Sequence, residues 1–267
     1  MADKTVFSLT HYNLGGAPLP DVIAFAADAG FDAIELAITD LWDEKGGEVK
    51  ADAVAKLLER HQLGVSAVGA ANDFVVVDPV EVKRQLTRME RIAELALAVG
   101  CRVLRTEGGQ KKDAVPEAQW EAAMVECLKG CVPFCERLGV ELAVDNHGYV
   151  TNDADLQVRV FKAVGSDRVG ANCDTMNYRW RGHDLATVGR YYRVIAPFVK
   201  HIHLKDGRGS LATYQGTVLG EGEIDLAAAV SALKEAGYAG AWCVEYEGGG
   251  DRQEGYRRGL AWMRAHV

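Results

Sequence analysis

The sequence predicts an α/β protein, a closed (β/α)8 barrel in a single domain over residues 1–267. Three observations carry that expectation. Short β-branched or apolar runs alternate strictly with longer helical patterns, which implies a parallel sheet. The alternation occurs eight times in 267 residues, the size of an eight-stranded α/β barrel. No G-x-G-x-x-G or Walker-type loop follows the first strand, as the rival doubly wound sheet would need.

In chain order, the strands are expected near Val6–Tyr12, Ala33–Ile38, Val65–Ala70, Val103–Glu107, Glu141–Asn146, Gly170–Thr175, His201–Lys205 and Trp242–Tyr246. Helical patterns cover Leu19–Ala29, Ala51–His61, Val80–Val99, Pro116–Leu138, Asp153–Val164, Leu185–Ile195, Leu226–Ala236 and Gln253–Ala265. Gly30, Gly64, Gly100, Gly139, Gly165 and Gly237 each stand just past a helical run, where a left-handed cap is wanted. Asp225 suits the N-cap of the seventh helix.

Composition is that of an ordinary globular chain, 48% hydrophobic and 25% charged. No run of about 18 apolar residues occurs, so no membrane span is expected. Met1 to Lys4 lacks a basic segment leading into an apolar one, so no signal peptide is expected. A net charge of −8 argues against a nucleic-acid partner. The six cysteines form no disulfide framework, which points to a cytoplasmic location. Cys127, Cys131 and Cys135 share one helix face, as a metal cluster or, the preferred reading, as small buried packing residues.

Functional residues of such a barrel belong at the C-terminal strand ends. Polar side chains gather there in all eight units: His11 and Asn13, Glu35, Asn72 and Asp73, Arg105 and Glu107, Asp145 and His147, Asp174 and Asn177, His203 and Lys205, Glu245 and Glu247. Asp145, Asp174 and Glu245 would converge with His203 on one mouth. Carboxylates so close repel in a low-dielectric pocket. Either a divalent cation or a set of ion pairs with Arg105, Lys205 and others resolves that conflict, and oxygen-rich ligation with one imidazole suits Mn2+, Mg2+, Co2+ or, less well, Zn2+.

Several stretches resemble the xylose isomerase-like TIM barrels, particularly the sugar isomerase/epimerase branch related to ketose 3-epimerases. They are GFDAIEL (Gly30 to Leu36), VDNHG (Val144 to Gly148), Asn172 to Asp174, HIHLKD (His201 to Asp206), LGEGEID (Leu219 to Asp225), and Gly237 to Gly240 with Val244 and Glu245. The resemblance runs over nearly the whole chain. It implies one divalent metal, with Mn2+ the first expectation, held by Asp145, Asp174, His203 and Glu245. Two positions depart from the family pattern. The acid on the fifth strand is usually Glu, and Asp145 is one methylene shorter. Asn177 stands where epimerases often carry a His, and it can donate a hydrogen bond but not transfer a proton.

The implied chemistry is proton abstraction beside a carbonyl through an enediolate, with Glu245 as base and Asp145 as the opposed acid/base. The outcome is epimerisation or isomerisation of a ketose or keto-sugar. The alternative is a lyase that expels a β-substituent from a 3-keto-sugar or keto-polyol, with His147 as the acid for the leaving group. Substrate contacts are expected from His11, Glu35, Arg105, Glu107, Asn177 and Lys205, although a structural hydrogen bond or salt bridge is an equal reading for several of them. Two Glu residues in the Leu219–Asp225 loop disfavour phosphate, so the expected partner is a small non-phosphorylated sugar. Trp42, Phe74, Trp180 and Tyr214 suggest an apolar lid or an oligomer contact, and the resemblance makes a homo-oligomer the expected state.

Overall fold

The computed structural model describes residues 4–267. Eight parallel strands close into a barrel: β1 (Phe7–Thr10), β2 (Ala33–Ala37), β3 (Gly64–Gly69), β4 (Val103–Glu107), β5 (Glu141–Asp145), β6 (Val169–Asp174), β7 (Val199–Leu204) and β10 (Trp242–Val244). Ring closure is the pairing of β1 with β10, with Phe7 opposite Trp242 and Leu9 opposite Val244. The long helices fall on the expected patterns: α1 (Leu19–Ala29), α3 (Ala51–His61), α4 (Pro79–Ala98), α5 (Trp120–Leu138), α6 (Ala154–Val164), α8 (Leu185–Ile195), α9 (Leu226–Glu235) and α10 (Arg252–His266).

The helix ends follow their sequence signals. Asp225 accepts a hydrogen bond from the Ala228 amide at 2.9 Å, and Asp78, Asp153, Asp184 and Asp251 cap their helices in the same way. Gly30, Gly139 and Gly165 adopt the left-handed cap. Gly64 does not. The left-handed residue after α3 is Gln62 at φ 53°, and Gly64 already opens β3.

Three pieces depart from the expected outline. Two helices of four and five residues, α2 (Ile38–Leu41) and α7 (Asn177–Arg181), follow β2 and β6. A hairpin of β8 (Asp206–Arg208) and β9 (Gln215–Thr217) rises from the end of β7. Segments this short have no periodicity to read. Asp206, only 1% exposed, anchors that region. Its Oδ1 accepts from the amides of Gly207 and Ile224, and its Oδ2 from those of Gly220 and Gly222, at 2.8 to 3.3 Å. Gly222 is required there, because a Cβ would lie 1.9 Å from Asp206 Oδ1. In the Gly-rich loop the Gly220, Gly222 and Ile224 amides are therefore committed to Asp206, and those of Glu221 and Glu223 to backbone carbonyls.

Cys127, Cys131 and Cys135 are free thiols on the buried face of α5, in the main apolar core, and burial pushes the first and last up to about 12. They belong to packing. Phe74 is 0% exposed and part of the same core, so the expectation of it as a lid residue fails. No described helix is long and apolar enough to cross a membrane.

Candidate metal centre

The C-terminal ends of β6, β7 and β10 bring Asp174, His203 and Glu245 together, with one ligand atom of each within 4.8 Å of the others. All three are buried. Backbone amides fix one side of Asp174: Met176 and Asn177 both donate to its Oδ1 at 2.8 Å. Asn146 locks the neighbouring strand end, accepting from the Asp174 amide at 2.7 Å and donating to its carbonyl at 3.0 Å. That double bond gives the VDNHG stretch a structural task in addition to Asp145.

Lys205 stands inside the cluster. Its Nζ is 3.1 Å from Glu245, 3.0 Å from Glu247, 3.5 Å from Asp174 and 3.4 Å from Asn177 Oδ1. Tyr214 donates to the same Glu247 oxygen, Oε2, at 2.8 Å. Asn13 donates to Glu245 Oε1 at 3.3 Å, and Tyr12 reaches Oε2 at 3.5 Å. Beneath lies Glu35, whose Oε2 meets Nε2 of both His203 (2.6 Å) and His201 (3.0 Å). Its Oε1 accepts from Arg105 Nε at 2.6 Å, and Arg105 Nη1 in turn donates to Asp145 Oδ2 at 3.0 Å.

These contacts set the charge states. Burial alone would push Glu245 up, but Lys205 and His203 hold it well below the usual carboxylate range. Burial likewise opposes the charge on Lys205, and Asp174, Glu245 and Glu247 overcome it, raising its pKa. Asp174 goes the other way. Burial raises it, and the Glu245 and Asp145 carboxylates outweigh enough of the help from Lys205 to leave it at about 7.

Two features fit a divalent cation. First, three of the nine buried side-chain atoms without a hydrogen-bond partner among the described residues gather here: Asp145 Oδ1, Asp174 Oδ2 and His203 Nδ1. Such atoms are rare and costly without a ligand. His203 Nδ1 is 2.8 Å from Glu245 Oε2 but is not aligned to bond it. Adjacent donors on a cation with bonds of about 2.1 Å lie at roughly that separation. Second, Glu35, Asp145, Asp174, Glu245 and Glu247 face only two permanent cations, Arg105 and Lys205. The deficit of positive charge is what a divalent ion supplies. Asp145 stands apart from the trio, drawn to Arg105 by its Oδ2.

The other expected site residues are dispersed. His11 faces Asp40 at 3.2 Å on the rim. His147 is exposed on the loop after β5. Glu107 accepts from Gln110 and lines a cleft of about 840 Å³ with Trp42, Asn72 and Arg88, beside the mouth. Asn177 is 5% exposed and touches Lys205. Glu35 and Arg105 are engaged with each other and with candidate ligands, and Glu35, at 0% exposure, offers substrate no surface. Tyr12 was missed because an aromatic next to a strand end carries no signal of its own. Glu247 was visible as a third member of the period-two face of Cys243 and Glu245.

An acidic cluster at the C-terminal mouth, buttressed by lysine and carrying unpartnered ligand atoms, marks a candidate metal site on a closed α/β barrel. The family is shown by a family model, the xylose isomerase-like TIM barrel, which matches residues 23–266: the chain belongs to that family. No curated protein matches it significantly. Among solved structures it is similar to a D-psicose 3-epimerase with D-tagatose from Clostridium cellulolyticum H10, at 15% identity and TM-score 0.81, covering 98% of this chain and 99% of that one. An L-ribulose 3-epimerase aligns at 19% identity and TM-score 0.79, covering 98% and 94%. The IOLI protein with a bound zinc atom aligns at 19% and 0.77, covering 98% and 95%. At such identities the likeness establishes the fold.

Proposed function

We propose that this chain is a divalent-metal-dependent sugar isomerase or epimerase, acting on a ketose or keto-sugar by proton abstraction beside the carbonyl through an enediolate. The observation that carries the reading is the set of unpartnered buried atoms on Asp174, His203 and Asp145 beside Glu245. Asp174, His203 and Glu245 would hold the ion, with Asp145 as the fourth ligand and Mn2+ as the expected metal. A bound divalent cation supplies Lewis-acid polarisation of the substrate carbonyl.

The chain's own residues do the rest. Glu245 is held ionised by Lys205 and His203, which is the form a general base must have. Asn13 donates to its Oε1 and Tyr12 to its Oε2. Lys205 presents an ammonium between Glu245 and Asn177, where it would bind a substrate oxygen. Glu107 and the adjacent cleft would accommodate the remainder of a substituted sugar.

One observation favours a second reading, a lyase that expels a β-substituent from a 3-keto-sugar or keto-polyol. Epimerisation needs two opposed acid/bases. Asp145 is short and paired to Arg105 at 3.0 Å, which weakens its claim to be the second. Elimination needs one base and an acid at the leaving group, a role open to His147. Proton NMR in D2O with Mg2+, over ketohexoses and 3-keto-glucosides, separates the two. Deuterium gained beside the carbonyl with an isomeric product supports the isomerase or epimerase. An enone or free aglycone supports the lyase. No exchange across the panel, with Mg2+ or Mn2+, counts against both.

A further inference from the structure

We propose that Glu35 and Arg105 are positioning residues which present His203 and Asp145 to the cation, and that Glu35 is not a contact for substrate. The inference rests on the metal reading above and concerns how two ligands are held. Four side chains form one line: Asp145 to Arg105 at 3.0 Å, Arg105 to Glu35 at 2.6 Å, and Glu35 to His203 at 2.6 Å. These residues come from β5, β4, β2 and β7. In the ring β2 and β7 are separated by β1 and β10, so the Glu35–His203 bond crosses the barrel interior.

Each end of the line dictates which ligand atom stays free. In the neutral imidazole that a cation ligates, a carboxylate against His203 Nε2 keeps the proton on that nitrogen, which leaves Nδ1 as the lone-pair atom. Nδ1 is the ring atom without a partner, on the side of Glu245. At the other end, Arg105 takes Asp145 Oδ2 and leaves Oδ1 without one. Substrate recognition would need Glu35 to reach the mouth, but it is 0% exposed with both oxygens engaged.

A second metal beneath the first is the competing account. Glu35, His201, His203 and Cys243 do lie within 4.8 Å of one another. Glu35 Oε2, however, already receives both imidazoles at hydrogen-bond distance, 2.6 and 3.0 Å. The lower cluster is satisfied by protons, whereas the upper one keeps bare ligand atoms.

The test uses Mn2+ alone as probe, with the unbound ion followed by electron paramagnetic resonance, on the full chain and on Glu35→Gln, Arg105→Lys and His203→Ala. Glu35→Gln is expected to raise the Mn2+ dissociation constant by about 10–100-fold, because a single amide oxygen cannot serve both Arg105 and His203. Arg105→Lys keeps the charge but loses the two-nitrogen bridge, and a smaller loss is expected. In 15N NMR of the Zn2+-loaded protein, His203 should carry its proton on Nε2 and ligate through Nδ1, its resonances being assigned by their absence in His203→Ala.

If the unmodified chain binds no Mn2+, or binds it as well after His203→Ala, the metal reading fails and this inference falls with it. If both of those controls behave as expected but a folded Glu35→Gln binds like the parent, the positioning role alone is overturned. Should Glu35→Gln not fold, the parent spectrum decides: ligation through Nε2, or a proton on Nδ1, overturns the proposal.

Discussion

Asp174 and Asp206 are two buried aspartates at the same end of the barrel, exposed by 0% and 1%, and they are satisfied in opposite ways. Asp206 spends both oxygens on four backbone amides and ties the hairpin to the loop before α9. Asp174 spends one oxygen on two amides and leaves the other without a hydrogen bond, facing Lys205 at 3.5 Å. Burial alone therefore does not separate structure from function. The distinction lies in whether the fold itself completes the polar group, since a buried acceptor left open costs about 1–3 kcal/mol that only a ligand recovers.

That contrast sets the expected effects of mutation. The largest is at the proposed base. Glu245→Gln should lower turnover at least about 1,000-fold while leaving the far-UV circular dichroism and melting transition close to the parent. A variant with parental turnover would remove Glu245 from the chemistry. Next is Lys205→Met, which leaves Asp174, Glu245 and Glu247 without their shared cation. Urea unfolding of the metal-free variant should show a loss of about 3–5 kcal/mol. Mn2+ at about 100 times its dissociation constant should return about 2.7 kcal/mol, and an unaltered midpoint would show that the lysine is dispensable.

One substitution at the two aspartates should act with opposite signs. Asp206→Asn turns an acceptor into a donor facing two amides, and should cost about 2–3 kcal/mol at any pH near neutrality. Asp174→Asn should stabilise the metal-free protein by about 1 kcal/mol above pH 7. The folded pKa of Asp174 is raised, to about 7 from 3.8. Its contribution to stability is thus fully present below the unfolded value and lost as the pH rises through the folded one. The gain from Asn should accordingly shrink to nothing towards pH 4, and Mn2+ should no longer stabilise the variant. Destabilisation above pH 7 would refute this account of Asp174. The smallest effect is on the thiols: burial holds Cys101, Cys127 and Cys135 at about 12, so the native chain should label with iodoacetamide at pH 8 far more slowly than the unfolded one.

The barrel was legible in the sequence because its strands and long helices repeat a period, and eight repeats leave little freedom. The hairpin and the two short helices were not, for three to five residues carry no period. At the site, Asp174, His203 and Glu245 were legible from their place at strand ends, and the structure puts them together. Glu35 was seen as polar at a strand end, but its alignment with His203 depends on a contact across 168 residues that spacing cannot reveal. Asp206 lies within the HIHLKD stretch, and nothing in its residue type or spacing marks its role. Its partners are backbone amides of glycines, which leave no side-chain signature. The expected tie between Arg105 and neighbouring charges took the form of a bridge from Glu35 to Asp145, a geometry set by the curvature of the ring.

The ring closes where β1 meets β10, and the same seam finishes the proposed base: Asn13 donates to Glu245 across 232 residues. A chain growing from its N-terminus holds β2 through β7 long before it holds Trp242 to Glu245. Until then β1 lacks its second neighbour, and the carboxylate that Tyr12 and Asn13 await is absent. Closure of the barrel and completion of the site are thus one event, and a fragment ending before Trp242 can carry neither.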